Sequence, residues 1–294
     1  MNISQFILQL INGLNLGSIY ALVALGYTMV YGIAKLINFA HGEIIMVGSY
    51  TVFVCTTMMG MPIWLSIPIS IIVCACLGML IEKIAYKPLR SAQRIYLLIT
   101  AIGVSFFLQS AFQLIFTSNS KSFPNLITLP PLVFGDFSIS ANYYLTFLIS
   151  VGLMIILDRF VKLTKTGRAM RACSEDQGAA QLMGININKT ISITFAIGSA
   201  LAAVAGILYS SSYPLINPYM GSTLGIKAFI AAVVGGIGII PGAVLGGFIL
   251  GIIESLTKAY ISSQLTDAIV FLVLIIVLVF KPAGLLGKNR KEKV

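Results

Sequence analysis

The sequence predicts an all-α protein, a polytopic transmembrane helical bundle of about eight or nine spans. Three observations predict it. The chain of 294 residues is 58% hydrophobic and only 10% charged, against about 25% charged in an ordinary soluble domain. Such a chain cannot coat a water-facing surface, whereas lipid tails accept Leu, Ile, Val and Phe directly; its mean hydropathy of +0.98 says the same. The apolar residues fall in long continuous runs rather than short alternating ones, which favours helices over a barrel. The basic residues gather between those runs, in alternate loops.

A membrane helix needs about 20 mostly apolar residues, since the hydrocarbon core is about 30 Å thick. Phe6–Ile33 is the first such run. It begins without a basic leader region, so it reads as a retained helix and not a cleaved signal. Glu43–Met59, Pro62–Ile81, Ile95–Phe116, Tyr143–Leu157 and Thr190–Ser210 follow. Two glycine-rich apolar stretches come next, Leu224–Ile240 and Ala243–Leu256, and Asp267–Phe280 is the last. From the end of the first of these stretches to the start of the second, Gly235, Gly236, Gly238, Pro241 and Gly242 form a strong helix interruption. This predicts a broken or re-entrant segment near 224–242. Irregular backbone in a membrane survives only where protein or water satisfies it, as along a pathway. Nine crossings place the N-terminus outside; eight, with one stretch re-entrant, place it inside.

Orientation follows from Lys and Arg. Lys83, Lys87, Arg90 and Arg94 follow the third run. Arg159, Lys162, Lys165, Arg168, Arg171 and Lys189 follow the fifth. Lys281, Lys288, Arg290, Lys291 and Lys293 follow the last. These loops are expected inside. Thr117–Asn142, with Lys121 alone, and Ser211–Ser222, with none, are expected outside. The net charge of +10 is therefore a topological signal. No compact basic patch with interleaved aromatics suggests nucleic acid.

Glycine number 27 points to close helix packing. Gly13 and Gly17 form a GxxxG face, and Gly242, Gly246, Gly247 and Gly251 form another. Tyr86-Lys87-Pro88 and Phe280-Lys281-Pro282 hint at an internal repeat. Cys55, Cys74, Cys76 and Cys173 have neither metal-ligand spacing nor a disulfide pattern, and read as small apolar fillers. No metal site is expected.

The chemistry-bearing motifs are few. There is no GxxxxGK[ST], so the chain has no visible means of binding ATP. His41, the sole histidine, and Glu43 stand between two apolar runs. That place puts them at the cytoplasmic edge, where Glu43 favours a helix N-terminus and either residue could serve gating. A lone His-x-Glu is not a metalloprotease signature. Glu82 with Lys83 and Glu254 with Lys258 read as edge charges, the second pair at helical spacing. The one long polar stretch on the inner side is Arg159–Lys189. Within it Ser174 can cap a helix, Glu175 and Asp176 suit a first turn, and Ala179, Ala180, Leu182 and Met183 favour a short helix that Gly184 stops. A short helix with small side chains can dock into a groove on a partner, although an ordinary solvated loop is an alternative.

Thr166-Gly167-Arg168-Ala169-Met170-Arg171-Ala172 through Glu175-Asp176, Ala179-Ala180 and Gly184-Ile185-Asn186 resembles the cytoplasmic loop of ABC importer permeases for branched-chain amino acids. Gly26–Gly32 with Asn38-Phe39-Ala40-His41-Gly42-Glu43 resembles that family's N-terminal signature. Ala232–Gly238 with Pro241-Gly242-Ala243 and Gly246-Gly247 is similar to a third recurrent block. The likeness covers nearly the whole chain and fits the smaller of the family's two permeases. Gly178 departs from the resemblance, which implies a charged or bulky residue at that position. The resemblance implies one permease domain over 1–294 in the bacterial inner membrane, not an enzyme. It implies a coupling loop over about 159–189, with Gly167, Arg168, Arg171, Glu175, Asp176, Ala179, Ala180 and Gly184 at the ATPase contact. Asn38, His41, Glu43, Gly235, Gly236, Gly238 and Pro241 are candidates for gating or the pathway. The implied partners are a second homologous permease, two ATP-binding subunits, an external solute-binding protein and membrane lipid. ATP and magnesium would sit on the partners, with no cofactor in this chain. The rival readings are a stand-alone secondary transporter or channel, disfavoured by scarce mid-membrane charge, and an intramembrane enzyme, for which no catalytic constellation is visible.

Overall fold

The structure is a computed structural model that describes residues 3–90, 92–127, 129–134 and 137–287. The basic tail residues Lys288, Arg290, Lys291 and Lys293 lie outside the described residues, as does the side chain of Arg94.

Helices dominate, as the apolar runs require. In order they are α1 (Ile3–Ala34), α2 (His41–Phe53, extended by a π-turn over Val54–Met58), α3 (Ile63–Ile81, continued by a π-turn over Glu82–Tyr86), α4 (Arg94–Phe116), α5 (Ala141–Leu163), α6 (Lys165–Glu175), α7 (Gln177–Leu182), α8 (Ile187–Ser212), α9 (Met220–Gly235), α10 (Ile240–Tyr260) and α11 (Thr266–Phe280). Among the described residues six helices are long and apolar enough to cross a membrane, while α9 and α11 are shorter apolar helices. The chain is a multi-pass membrane protein.

Two small sheets fix which loops share a side. β1 (Lys121–Ser122) pairs antiparallel with β4 (Leu215–Ile216). The loop before α5 and the loop after α8 therefore meet at one membrane face, the side that the scarcity of basic residues marks as external. β2 (Leu132–Phe134) and β3 (Phe137–Ile139) form a hairpin in the same loop. At the opposite face, Gln177 of α7 donates its amide N–H to the Ile33 carbonyl at 2.9 Å, tying the last turn of α1 to the basic, cytoplasmic side. Asn15, half a helix away, lies 3.5 Å from Ser212 at the external end of α8. α1 thus runs from outside to inside, and its 32 residues extend about 48 Å.

The core gathers around α1, which is buried on nearly every side from Leu16 to Val30. Packing is backbone on backbone. A Cβ on Gly251 would fall on the Gly17 backbone, and one on Gly247 would fall on Ala21, so the two glycine faces read from the sequence mate with each other. Close approach of small residues supplies the dispersion contact that lipid-immersed helices rely on. α8 makes the equivalent approach to α3, where Gly78 abuts Ser199. The outer faces of α3, α4 and α5 carry exposed Trp64, Ile72, Phe106, Phe107, Leu114, Leu148 and Ile156, as lipid contact demands.

The structure sets the depth of the discontinuities. Gly236 and Gly238 have φ of +114° and +91° and do turn the chain. However, that turn lies beside Gly32 near the cytoplasmic end of α1, not at mid-membrane. Gly242 packs on the Gly235 carbonyl, so α9 and α10 form a tight hairpin with Pro241 in the first turn of α10. The breaks inside the membrane precede α2 and α9. His41, which begins α2, abuts Gly26, and Gly26 faces Gly198 near the middle of α8. The chain therefore climbs back through residues 35–40 before α2 starts. Likewise, residues 213–219 descend from the external face before α9 starts, and Gly221 of α9 packs on the Gly42 carbonyl. Two short helices thus meet N-terminus to N-terminus inside the bundle. Among the described residues, six long apolar helices, the shorter α9 and α11, and α2 with its π-turn follow one another in the order that the nine-crossing reading with an external N-terminus requires, α2 and α9 being completed by extended chain.

This arrangement is an inverted repeat. α1 to α4 run full helix, extended re-entry, short helix, helix, helix, and α8 to α11 repeat the series with the opposite sense. α1 packs on α10 as α8 packs on α3, and α2 packs on α8 as α9 packs on α1. The Tyr-Lys-Pro and Phe-Lys-Pro echo is a different matter, since it closes α3 and α11, which are not equivalent in the repeat.

Candidate functional site

Three places gather the residues that could act. The first is the cytoplasmic loop, which folds as two helices and not one. Thr164 caps α6 by accepting the Gly167 N–H at 2.9 Å. Gly167 is buried because a Cβ there would meet the Phe160 and Val161 backbone. α6 is strongly amphipathic: Met170 and Cys173 face the bundle, while Arg168 and Arg171 face outward. Arg171 donates to the Lys162 carbonyl at 3.2 Å. The expectation that Ser174 caps the short helix is corrected. Ser174 donates to the Arg171 carbonyl at 2.7 Å within α6, and Glu175 is the last residue of that helix. Asp176 is the cap of α7, accepting the Ala179 N–H at 3.0 Å from extended backbone. A carboxylate there is favoured by both the orphan N–H groups and the helix dipole. Gly178 sits in the first turn of α7. Ala180 is buried against the bundle and Ala179 is exposed. α7 ends at Gly184, whose φ of +81° closes a C-terminal cap through the bond from the Ile185 N–H to the Ala180 carbonyl at 3.0 Å. Leu182 and Met183 project from this tip with 90% and 83% exposure, an apolar knob on an otherwise polar surface.

The second place is the junction of the two short helices. The expectation that His41 and Glu43 sit at a wetted edge is corrected: they are 1% and 0% exposed. The cause is the re-entry, which carries the start of α2 to mid-bundle. The His41 ring stacks edge-on to Tyr27 at 4.7 Å, and Tyr27 meets Phe229 of α9 at 5.7 Å. Asn38 accepts from the Tyr86 hydroxyl at 2.7 Å, holding the extended segment to the end of α3. Glu43 accepts from Ser105 of α4 at 2.9 Å, and its other oxygen lies beside Gly221 in the first turn of α9. One carboxyl group thus receives the positive ends of two helices. Glu43 Oε2, His41 Nε2 and Asn38 Nδ2 are buried without a hydrogen-bond partner.

The third place escaped the sequence reading. Glu254, read as an edge charge paired with Lys258, is 1% exposed. It meets Lys258 at 2.6 Å, as the spacing predicts, but also Lys227 of α9 at 2.8 Å and the Tyr20 hydroxyl of α1 at 2.7 Å. Lys227 reaches Asp267 of α11 at 2.8 Å as well. Four helices are joined by two acids and two bases, so the buried charge is neutralised. The available signal was Lys227 itself, a cation inside an apolar run. Glu82 is also no edge charge: it is buried, pairs with Arg90 and accepts from Ser192 of α8 at 2.5 Å.

Gly235, Gly236 and Gly238 serve the α9–α10 turn. Its freed carbonyls are met by the chain after α11: the Leu285 N–H donates to Val234 at 2.8 Å and the Leu286 N–H to Gly235 at 3.0 Å. Capping from a distant segment satisfies groups that lipid could not.

Comparison with known proteins places this architecture. The permease protein BraD of the high-affinity branched-chain amino acid transport system of Pseudomonas aeruginosa is 47% identical over 305 aligned positions, covering 99% of each chain. The corresponding LivH protein of Escherichia coli is 45% identical with 98% of each chain covered. A probable branched-chain amino acid transport permease protein LivH of Methanocaldococcus jannaschii is 32% identical over 94% of this chain and 90% of its own. The fold is shared with a chain of PsaBC from Streptococcus pneumoniae, solved in complex with Fab, at a TM-score of 0.51 and 11% identity over 94% of this chain and 95% of that one. A model of the family described as branched-chain amino acid transport system / permease component matches residues 9–278. With the helices, the inverted short-helix pair and the paired cytoplasmic helices accounted for, the chain belongs to that family of transport permeases.

Proposed function

We propose that this chain is the membrane-spanning permease subunit of an ABC importer in the bacterial cytoplasmic membrane. It carries branched-chain amino acids, or similar small amino acids or amides, at the expense of ATP hydrolysed by separate subunits. The observation that supports this reading is the α6–α7 pair: a capped, rigid cytoplasmic element with an apolar tip and a direct hydrogen bond to the end of α1. Leu182 and Met183 are the knobs that enter a cleft on an ATPase subunit. Arg168, Arg171, Glu175, Asp176 and Ala179 frame the contact, while Gly167, Ala180 and Gly184 give the element its shape.

The geometry gives a route from motor to membrane. Movement of the partner displaces α7, and Gln177 passes the displacement to α1. α1 packs on both short helices, so their junction at Asn38, His41 and Glu43 shifts with it. The buried polar atoms there without partners have a reason to exist if they acquire partners in another conformation. Gly235, Gly236, Gly238 and Pro241 form the pivot at the inner face. The partner must hold one conformation better than the other for this to transport anything. A second permease, two ATP-binding subunits carrying ATP and magnesium, and an external solute-binding protein complete the assembly. Copurification tests the reading. Leu182→Arg is expected to abolish retention of the ATPase subunits in detergent, while the chain still folds. Full retention with unimpaired uptake would overturn it.

A further inference from the structure

A partly open cavity of about 320 Å³ lies between the end of α1 and the start of α4. That volume falls within the range of ligand clefts. Its wall is apolar: Leu36 and Ile37 come from the segment after α1, and Ile95, Leu97 and Leu98 from the first turns of α4. Tyr31 and Lys35 complete the lining. Among the described residues, neither the Tyr31 hydroxyl nor the Lys35 ammonium has a hydrogen bond or an ion pair. Lys35 is exposed and has a φ of +56°. It stands just past the last residue of α1, a place that glycine ordinarily takes because a side chain is strained there. Backbone strain of this kind gathers at ligand sites. The cavity is also at the depth of the inner headgroups. Ile33, two residues before Lys35, is tied to α7 on the cytoplasmic side, and α4 emerges from the loop that carries exposed Lys83 and Lys87.

We propose that this cavity is a site for one anionic phospholipid of the inner leaflet. The phosphate meets the Lys35 ammonium and the Tyr31 hydroxyl at the rim, and the upper part of an acyl chain lies along Leu36, Ile37, Ile95 and Leu98. Charge complementarity selects this occupant. Basic pockets between membrane helices on the cytoplasmic side bind anionic headgroups, and Lys83 and Lys87 add positive charge to the same face. A zwitterionic lipid brings a cation of its own to Lys35. A free phosphate would meet the ammonium and leave the apolar wall unfilled. The bound lipid bridges the end of α1 to α4, whose outer face is exposed from Ile95 to Ile115. It thereby steadies the point at which the chain turns back towards α2. The inference rests on the membrane topology and on the cytoplasmic position of this end, and is independent of the proposed coupling and of the solute carried.

The probe is phosphatidylglycerol with a diazirine near the top of one acyl chain, and phosphatidylcholine with the same chains is the control. Each is placed in nanodiscs that hold the full chain with its copurified subunits, and the crosslinked peptides are mapped. The phosphatidylglycerol probe should mark residues 95–98 about fivefold more than the control, the effect of one lysine beside an anionic headgroup. The excess should fall with added salt, because Lys35 is exposed. Lys35→Arg should keep the preference and Lys35→Gln should remove it. Leu98→Trp, which fills the cavity and keeps the charge, should lose the crosslink. Lys35→Gly separates ligand binding from fold stability. It relieves the positive φ, so its melting temperature in lipid-free detergent should equal or exceed the parent's. Yet added phosphatidylglycerol should raise that temperature no more than phosphatidylcholine does, whereas in the parent it raises it further. Equal marking by the two probes, or a preference that survives both Lys35→Gln and Lys35→Gly, overturns the site. Full competition by soluble glycerol 3-phosphate would make it a free-anion site and overturns the lipid assignment. Crosslinking of Ile95→Cys to another subunit, with residues 95–98 unmarked by lipid, would make it a protein interface and overturns the assignment as well.

Discussion

Single residues in this protein act mainly by being small or by being paired. Gly251 faces the Gly17 backbone with no room for a Cβ. Gly251→Leu is expected to destabilise the fold by about 1–3 kcal/mol through overpacking, read as a lower melting temperature in detergent. Gly103 and Gly152, where added atoms meet open space, should tolerate alanine. Glu254 is the paired case. Its carboxylate serves Lys227, Lys258 and Tyr20 together. Glu254→Ala leaves two bases around one exposed acid, and removal of one partner from a buried pair costs about 3–5 kcal/mol. Thermal unfolding should show the loss, whereas Lys258→Ala, half-exposed and on the same oxygen, should cost under about 1 kcal/mol. A smaller loss from Glu254→Ala than from Lys258→Ala would contradict the cluster's role.

At the scale of elements, the two caps of α7 decide whether the coupling tip is rigid. Asp176→Ala should weaken the cap by about 1 kcal/mol, and Asp176→Asn should restore most of it. ATPase retention is expected to follow the same order if tip geometry matters, and charge alone would instead group Asn with Ala. Gly184→Val places a β-branched residue at positive φ and should be worse than either. The sequence made these features partly legible. Gly184 announced its own stop, and the glycine spacing on α1 and α10 announced a close seam. Ser174 misled because a serine followed by two acids is a sound start signal. Asp176 won because the chain turns extended at that residue, which no local pattern encodes. Lys227 was overlooked since its partners are 27 and 40 residues away. The spans themselves were legible, because their lengths are set by bilayer thickness. The depth of α2 and α9 was not: a short mixed segment such as residues 35–40 gives no sign of whether it leaves the membrane or climbs back into it.

The molecule as a whole is two oppositely oriented copies of one plan, with short helices meeting at Glu43 and Gly221. The resulting topology makes a direct prediction. In a cysteine-free background, a thiol at Ser4 or Lys121 should react with a membrane-impermeant reagent added to intact cells. One at Gln181 should react only after permeabilisation. Labelling of Gln181 from outside would invert the molecule and sink the coupling scheme with it.

The tether between Gln177 and Ile33 has a mechanical corollary. α1 is a stiff rod, gripped along the opposite half by α10 through glycine seats that contain almost nothing compressible. A soft interface of long side chains would absorb a push by changing rotamers. This one cannot, so under the proposed coupling a displacement delivered at the inner end travels along α1 towards its external end with little loss. The sparse, backbone-lined joint thereby suits α1 to pass a force on and not to absorb it.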